Sequence, residues 1–221
     1  IISLNPFTTL HLIATGGDIN INNNIKAGAI IAEATIINLS RNGSLGTNGG
    51  DYSFIYLAGA AINILGSINT SSGGNLSSGV NGVNGVNGST RRLTNVNDGG
   101  VIKLTAHNDI YIAPSAVLIS NGNNGGLIEL VSNSGNVLVE GVIQTNGSVG
   151  RGGTINIAGF QTTSLVNAAI NAIGYNAGGV IKIGNDAQSG TLPFSVLTSL
   201  NAGTSINTFS INGPGGYIET S

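Results

Sequence analysis

The amino-acid sequence predicts an all-β protein, a right-handed parallel β-helix with about three short strands in each coil. Three observations predict it: a recurring Gly-Gly-x-Ile-x-Ile pattern, strict alternation of apolar and polar residues, and Asn- and Gly-rich turns between the alternating stretches. Side chains of a strand point alternately to its two faces, so this alternation indicates half-buried strands. Equivalent strands of successive coils would stack about 4.8 Å apart and send alternate side chains inward.

The Gly-Gly pattern sets the period of the predicted coils. Its copies begin at Gly16, Gly99, Gly125, Gly152, Gly178 and Gly215, and a looser copy begins at Gly49. The steps from 99 to 125, 152 and 178 are 26, 27 and 26 residues. Because glycine tolerates sharp turns, we expect the paired glycines to mark one corner of every coil.

Further short alternating stretches between the copies complete each predicted coil. They cover residues 109–112, 117–120, 137–140 and 142–145. Stacking the copies in register predicts two internal apolar columns, one of Ile102, Ile128, Ile155 and Ile181 and the other of Leu104, Leu130, Ile157 and Ile183. We also expect the Asn-rich corners to form hydrogen-bonded ladders, as stacked asparagines do in cross-β structures.

We expect residues 1–221 to form a single β-helix domain with a low-complexity insertion around residues 73–90. That segment contains consecutive Val-Asn-Gly triplets, which interrupt the period of the coils. We interpret it as a surface insertion, and a few tight coils of the solenoid remain the alternative. Neither end shows a capping segment, so we expect the chain to be one segment of a longer fibre.

Composition excludes several classes of protein. Only 7% of the residues are charged, against about 25% in average proteins. The apolar runs are far shorter than the roughly 20 residues of a spanning helix, so we expect no membrane span. A net charge of −2 attracts no polyanion, and we expect no nucleic-acid partner. Cysteine is absent, which excludes disulfides and thiolate metal sites, and no cofactor is predicted.

The same position of successive Gly-Gly copies predicts a ladder of side chains on the outer face. It comprises Lys103, Glu129, Asn156, Lys182 and Glu219. Stacked in register, Lys103 would lie beside Glu129, and Lys182 beside Glu219. Opposite charges at paired positions of neighbouring strands contribute roughly 0.2–1 kcal/mol.

Two motifs in the C-terminal part resemble those of a known family. Residues 178–186 read Gly-Gly-Val-Ile-Lys-Ile-Gly-Asn-Asp and precede Gly190 and Pro193, and residues 215–221 read Gly-Gly-Tyr-Ile-Glu-Thr-Ser. Both resemble motifs of the filamentous haemagglutinin family, particularly its high-molecular-weight adhesins, which are exported by two-partner secretion. Asn185 stands where the family has a second glycine.

Residues 10–25 also resemble a segment of that family, one that commonly follows its Glu-Thr-Ser block. The resemblance implies a structural or adhesive segment of a secreted fibre at the bacterial cell surface, used for adhesion or biofilm. The expected partner is a second copy of the chain, stacked end to end or joined in tandem, and host or bacterial surface glycans are further partners. The resemblance to the adhesins also allows N-glycosylation in six Asn-x-Ser/Thr triplets, at Asn38, Asn42, Asn69, Asn75, Asn87 and Asn146.

The alternative function is that of a pectate-lyase-like β-helix enzyme acting on polysaccharide. Such a site needs several carboxylates on adjacent coils, with a metal or as an acid/base pair. The nine acidic residues are scattered, mostly one in each coil. His11 and His107 are isolated and lack a metal-ligand spacing. We therefore expect no catalytic site, no metal site and no enzyme.

Overall fold

A computed structural model describes residues 8–47, 53–71, 98–185 and 192–221 of the chain. Within these ranges the backbone forms nineteen β-strands and no helix. In chain order the strands are β1 (Thr9–Ile21), β2 (Asn24–Ala27), β3 (Ala29–Leu39), β4 (Ser44–Thr47), β5 (Phe54–Ile64), β6 (Ser67–Asn69), β7 (Val101–Ala106), β8 (Ile110–Ile112), β9 (Val117–Ile119), β10 (Leu127–Ser132), β11 (Asn136–Val139), β12 (Val142–Gln144), β13 (Thr154–Gly159), β14 (Thr162–Leu165), β15 (Ala169–Asn171), β16 (Val180–Ile183), β17 (Leu197–Leu200), β18 (Ser205–Asn207) and β19 (Tyr217–Thr220).

All strand pairs of the described residues are parallel. One sheet contains twelve strands and the other seven, in the order β18-β15-β12-β9-β6-β4-β2. From β7 onward the strands repeat in groups of three, and each strand pairs with the strand three places later in the chain. The all-β, parallel-stranded class predicted from the sequence is confirmed.

We call each such group a coil, and we name three sides of the stack. The first side holds β7, β10, β13, β16 and β19, the second side holds β8, β11, β14 and β17, and the third side is the seven-stranded sheet. The long strand β5 pairs with both β7 and β8, so β1, β3 and β5 each cover the first and second sides. Successive coils therefore add one level to every side.

The prediction of three short strands in each coil fails for the first three coils. There β1, β3 and β5 are 13, 11 and 11 residues long, and only one further strand completes each coil. For β3 the reason is local sequence, since residues 29–37 contain no Gly, Pro, Asn or Asp to end the strand. Between β7 and β8, by contrast, the chain carries Asn108 and Asp109, residues that favour turns.

The predicted interior columns are confirmed. Ile128 pairs in register with Ile102 and Ile155, Ile155 pairs with Ile181, and none of these side chains is exposed to solvent. The neighbouring column of Leu104, Leu130, Ile157 and Ile183 is equally buried. Burying one such side chain contributes about 1.5–3 kcal/mol, so the two columns form a large part of the core.

Five of the Gly-Gly pairs occupy one corner, directly before the first-side strands β7, β10, β13, β16 and β19. There the backbones of neighbouring coils come too close for side chains. A Cβ atom added at Gly126 would overlap the carbonyl oxygen of Gly100 and the hydroxyl of Ser120. Both positions of the first four pairs are crowded in this way and require glycine because of packing, whereas in the last pair only Gly216 is crowded and a side chain at Gly215 would contact no other atom.

The Gly16-Gly17 pair is an exception, and its assignment to the same corner is wrong. It lies inside β1, where the register shifts between Ala14 and Asp18 and Gly16 has a φ of +70°. The following Ile19 pairs with Ile37, which belongs to the second side. The same Gly-Gly motif therefore lies here at a bend between the first and second sides. A side chain at Gly17 would contact no other atom.

Several predicted features lie outside the described residues. They are the low-complexity insertion around residues 73–90, the looser Gly49 copy, and the candidate glycosylation sites Asn75 and Asn87. The assignment of residues 1–221 to a single domain stays a prediction.

Candidate functional surfaces

The five positions of the outer charge ladder are paired strand to strand. Lys103 pairs with Glu129, Glu129 with Asn156, Asn156 with Lys182, and Lys182 with Glu219. Lys103 Nζ lies 2.7 Å from Glu129 Oε1. Because the lysine side chain is about half exposed, this ion pair contributes roughly 0–1 kcal/mol. The ladder thus aligns the coils and adds little to their stability.

Ladders of hydrogen-bonded asparagine side chains, here called amide ladders, also run along the stack. One of them lies on the outer face of the strands. Asn38 Nδ2 donates to Asn20 Oδ1 at 2.9 Å, and Asn63 Nδ2 donates to Asn38 Oδ1 at 2.8 Å. A second ladder lies at a corner, where Asn121 Oδ1 accepts from the backbone N–H of Asn146 at 2.7 Å. The predicted corner ladders therefore exist, and the strand-face ladder is one that the repeat pattern missed.

Two aspartates start ladders of a mixed kind. Asp98 Oδ1 accepts from the backbone N–H and the side-chain amide of Asn124, both at 3.0 Å. Asp109 Oδ1 accepts from the two equivalent groups of Asn136 at 2.8 and 2.9 Å. Thr162 then donates to Asn136 Oδ1 at 2.8 Å. These carboxylates hold adjacent coils together, a role that only the register of the coils reveals.

The remaining described carboxylates lie apart. Glu33 Oε1 lies 3.4 Å from His11 Nε2 on an exposed face. Tyr111 donates to Glu140 Oε2 at 2.6 Å, and this hydrogen bond, together with burial and the glutamate charge, raises the pKa of Tyr111. Across the described residues, no three His, Asp or Glu side chains come together as a metal site.

His107 contacts a neighbouring coil through Ser134. The Ser134 hydroxyl lies 3.2 Å from Nδ1 of the imidazole and donates to the His107 carbonyl oxygen at 2.8 Å. A shallow depression of about 250 Å³ on the first side is lined by Phe54, Ile55, Tyr56, Val101 and Lys103. No carboxylate lines it, so it presents no acid/base pair.

The candidate glycosylation sites have different surroundings. Asn42 and Asn69 are exposed, and Asn69 Oδ1 accepts from the backbone N–H of Ser71 at 2.7 Å. Asn38 and Asn146 are half-buried, and both belong to the amide ladders. The structure thus separates the four described triplets into two exposed and two half-buried asparagines.

Large apolar side chains are exposed mainly in the last coils, which sequence reasoning missed. Of the twelve such residues in the described ranges, all but Ile13 follow residue 148: Val149, Phe160, Tyr175, Phe194, Val196, Leu197, Leu200, Phe209, Ile211, Tyr217 and Ile218. Exposed apolar side chains mark an interaction surface where they form a contiguous patch.

Two of these residues continue the interior columns. Leu200 pairs with Leu165 and Ile218 with Ile181. Leu165 and Ile181 are fully buried, whereas Leu200 and Ile218 are 45% and 43% exposed. Inward-facing positions are therefore uncovered at this end of the stack.

Five of the described strands pair with a neighbour on one side only. The strands β1 and β2 form one end, and β17, β18 and β19 form the other. An edge strand presents unpaired N–H and C=O groups that pair readily with another strand.

No protein-family model, curated protein or solved structure matches the chain. Within the described ranges there is also no helix of the length and apolarity that crossing a membrane requires.

Proposed function

We propose that the chain is a right-handed parallel β-helix that forms a structural or adhesive segment of a secreted fibre at the bacterial cell surface. The pairing of every strand with its equivalent in the next coil supports the β-helix. Parallel strands of one sheet are joined by right-handed crossovers in about 98% of cases, which supports the hand.

One observation carries the fibre proposal: among the described residues, the inward-facing Leu200 and Ile218 of the last strands are 45% and 43% exposed, so the interior apolar columns are uncovered there. Solenoids that stay monomeric cover their terminal coils with polar capping segments. Open edges instead attract further strands. A contact between unlike ends does not close on itself, so copies joined in this way form an open filament.

The proposed extracellular location rests on the motif resemblance. Residues 178–183 and 215–220 occupy equivalent positions before and within β16 and β19. The adhesin-like motifs are therefore repeats of one structural unit, as expected for a fibre built from many coils. Glycan binding stays a proposal without an assigned site.

The alternative, a polysaccharide-cleaving enzyme, has weaker support. Asp98 and Asp109 accept hydrogen bonds from the next coil, and Glu129 pairs with Lys103. Catalysis by a β-helix requires carboxylates that converge on the substrate. Incubation with plant and bacterial polysaccharides would test this alternative, and release of oligosaccharides would favour it.

Electron microscopy and light scattering on the purified chain test the fibre proposal. We expect unbranched filaments one molecule wide that lengthen as the protein concentration rises. A species that remains monomeric at high concentration, with its strands intact by circular dichroism, would contradict end-to-end stacking.

A further inference from the structure

Asparagine followed directly by glycine recurs along the chain. Within the described residues such pairs begin at Asn42, Asn121, Asn124, Asn146 and Asn212, and all of them lie between strands. The pairs that begin at Asn48, Asn81, Asn84 and Asn87 lie outside the described residues. Because glycine has no side chain to hinder it, its backbone nitrogen can approach the amide carbon of the preceding asparagine. Each pair is therefore a potential site of ring closure, and its surroundings decide whether the ring forms.

Three of the described pairs are held by the next coil of the stack. The N–H groups of Gly122, Gly125 and Gly147 donate to carbonyl oxygens of that coil at 3.0, 2.9 and 2.8 Å. The side chains of Asn121 and Asn146 are engaged as well, since each accepts a hydrogen bond from a backbone N–H of the next coil. In these pairs neither the glycine nitrogen nor the asparagine amide is free to react.

The pair at Asn42 is held in a different way. Its side chain is exposed, but the N–H of Gly43 donates to the carbonyl oxygen of Ser40 at 2.9 Å. Gly43 is also buried, and a Cβ atom added there would overlap the carbonyl oxygen of Ile21. The asparagine amide is thus accessible, whereas the nitrogen that would attack it is fixed.

The pair at Asn212 differs from the other four. Asn212 and Gly213 are both exposed, and they lie in a bend between β18 and β19. Among the described residues, neither the Asn212 side chain nor the N–H of Gly213 forms a hydrogen bond. Both reacting groups are therefore accessible at this one described pair.

The free N–H of Gly213 does not depend on a further coil above it. Gly152 donates to the carbonyl oxygen of Ala177, and Gly178 donates in the same way to Pro214. The residues before these acceptors, Asn176 and Gly213, are therefore equivalent. The N–H of Asn176 donates at 2.9 Å to the preceding coil, and this position thus faces backward along the stack.

We propose that Asn212 is a site of spontaneous modification, at which the folded chain converts the asparagine to aspartate and isoaspartate. The Gly213 nitrogen loses its proton to solvent and attacks Cγ of Asn212. The new N–Cγ bond closes a succinimide ring, the Cγ–Nδ2 bond breaks, and the amide group takes up a proton and leaves as ammonia. Water then adds to either ring carbonyl and opens the ring. The reaction needs no reactant other than water, and the inference is independent of the fibre proposal.

The modification changes both charge and backbone at one corner of the stack. Either product adds one negative charge to the formal net charge of −2. Isoaspartate also lengthens the main chain by one carbon in a turn that is tied to its surroundings, since Pro214 accepts from Gly178 and Gly216 donates to Thr208. Because only water is consumed, the modified fraction increases with the age of the folded chain.

Mass spectrometry of the aged, folded chain tests the proposal. The purified protein is incubated at mildly alkaline pH, which favours loss of the proton from the attacking nitrogen, and fragmentation of its peptides locates each converted asparagine. We expect Asn212 to convert first. Asn42 should be slower by about 2–13-fold, because one hydrogen bond must open, and the pairs at Asn121 and Asn146 should be slower by on the order of 100-fold or more.

The same incubation in urea is the control for intrinsic reactivity. Unfolding releases every Asn-Gly pair, so all should then convert at similar rates. A folded chain in which Asn42 or Asn146 converts as fast as Asn212, or in which Asn212 keeps its amide while the unfolded chain loses it, would overturn the proposal. A rate at Asn212 that is equally far above the others in urea would show that the fold does not select this pair, and would overturn it as well.

The nature of the product identifies the attacking atom. Ring closure by Gly213 yields isoaspartate together with aspartate, and an isoaspartate-specific methyltransferase detects the former. Direct hydrolysis by water yields aspartate alone, and that result would exclude attack by Gly213. The Asn212→Gln variant should lose the signal from this peptide, because glutamine closes a larger ring more slowly. Asn42→Gln is the matched control and should leave conversion at Asn212 unchanged.

Discussion

Ile155 and Asn156 are neighbours in the chain, yet they lie in opposite environments. Ile155 is fully buried in an interior column, whereas Asn156 lies on the outer ladder. The Ile155→Asp variant would place a charge among apolar side chains and should lose several kcal/mol of unfolding free energy. Urea denaturation followed by circular dichroism measures this loss.

The matched control is Glu129→Gln on the outer ladder. It removes the ion pair with Lys103 and should change the unfolding free energy by no more than about 1 kcal/mol. Similar losses in both variants would mean that the inward and outward faces are assigned incorrectly.

The accessibility of single asparagines predicts where glycans attach. When the folded chain meets a glycosylating enzyme, we expect modification at Asn42 and Asn69. Asn38 and Asn146 should remain unmodified, because half-burial and ladder hydrogen bonds engage their amides. Mass spectrometry of tryptic peptides checks this distribution, and a glycan on Asn38 of folded protein would contradict it.

At the scale of elements, the two Gly-Gly environments predict different responses to substitution. Gly126→Ala places a methyl group against backbone of the preceding coil, and we expect a loss of about 1–3 kcal/mol. Gly17→Ala meets no atom and should stay within about 0.5 kcal/mol of the unmodified chain. Thermal denaturation of the two variants provides the comparison, and equal losses would argue against separate corners.

The interior columns and the charge ladder were predictable from sequence because repeat copies place equivalent residues at one position. Lys103 and Glu129 could be paired without coordinates for this reason. The Asp98–Asn124 hydrogen bond lies at a corner, where the repeat copies differ in length and in residue type. The sequence therefore does not show which residues face each other there, and only the strand register in the structure does. The long β1 was missed because the Gly16-Gly17 pair at its bend has the same sequence motif as the pairs that precede a new first-side strand.

The exposed apolar residues of the last coils were also missed. They include Phe194 and Val196, which lie in the connection between β16 and β17. This connection is longer than those between β7 and β8, β10 and β11, or β13 and β14. Hydrophobicity alone does not distinguish such residues from core residues. Leu200 and Ile218 differ from these, because they occupy inward positions on which no described strand stacks.

For the whole molecule, stability is distributed along one axis, because each coil contacts only its neighbours. The energy of a solenoid is approximately a sum over coils and the contacts between adjacent ones. The last described coil has one neighbour instead of two, so its inward side chains contribute less to folding. Residues at the end should therefore affect assembly more than folding.

Leu200 and Leu165 test this expectation, since they occupy neighbouring levels of one column. Leu165 is buried, and Leu165→Ala should cost about 2–5 kcal/mol of unfolding free energy. Leu200 is 45% exposed, so Leu200→Ala should cost clearly less. In the proposed filament, however, the next copy covers Leu200, and the truncated side chain leaves a void there.

Leu200→Ala should thus weaken each junction by about 1–2 kcal/mol, which raises the concentration needed for assembly roughly 5–30-fold. Sedimentation of filaments over a concentration series measures that threshold, and urea denaturation below it measures the folding of the monomer. An unchanged threshold would show that Leu200 stays exposed in the filament. A loss of folding as large as that of Leu165→Ala would show that the column is already covered in the single chain.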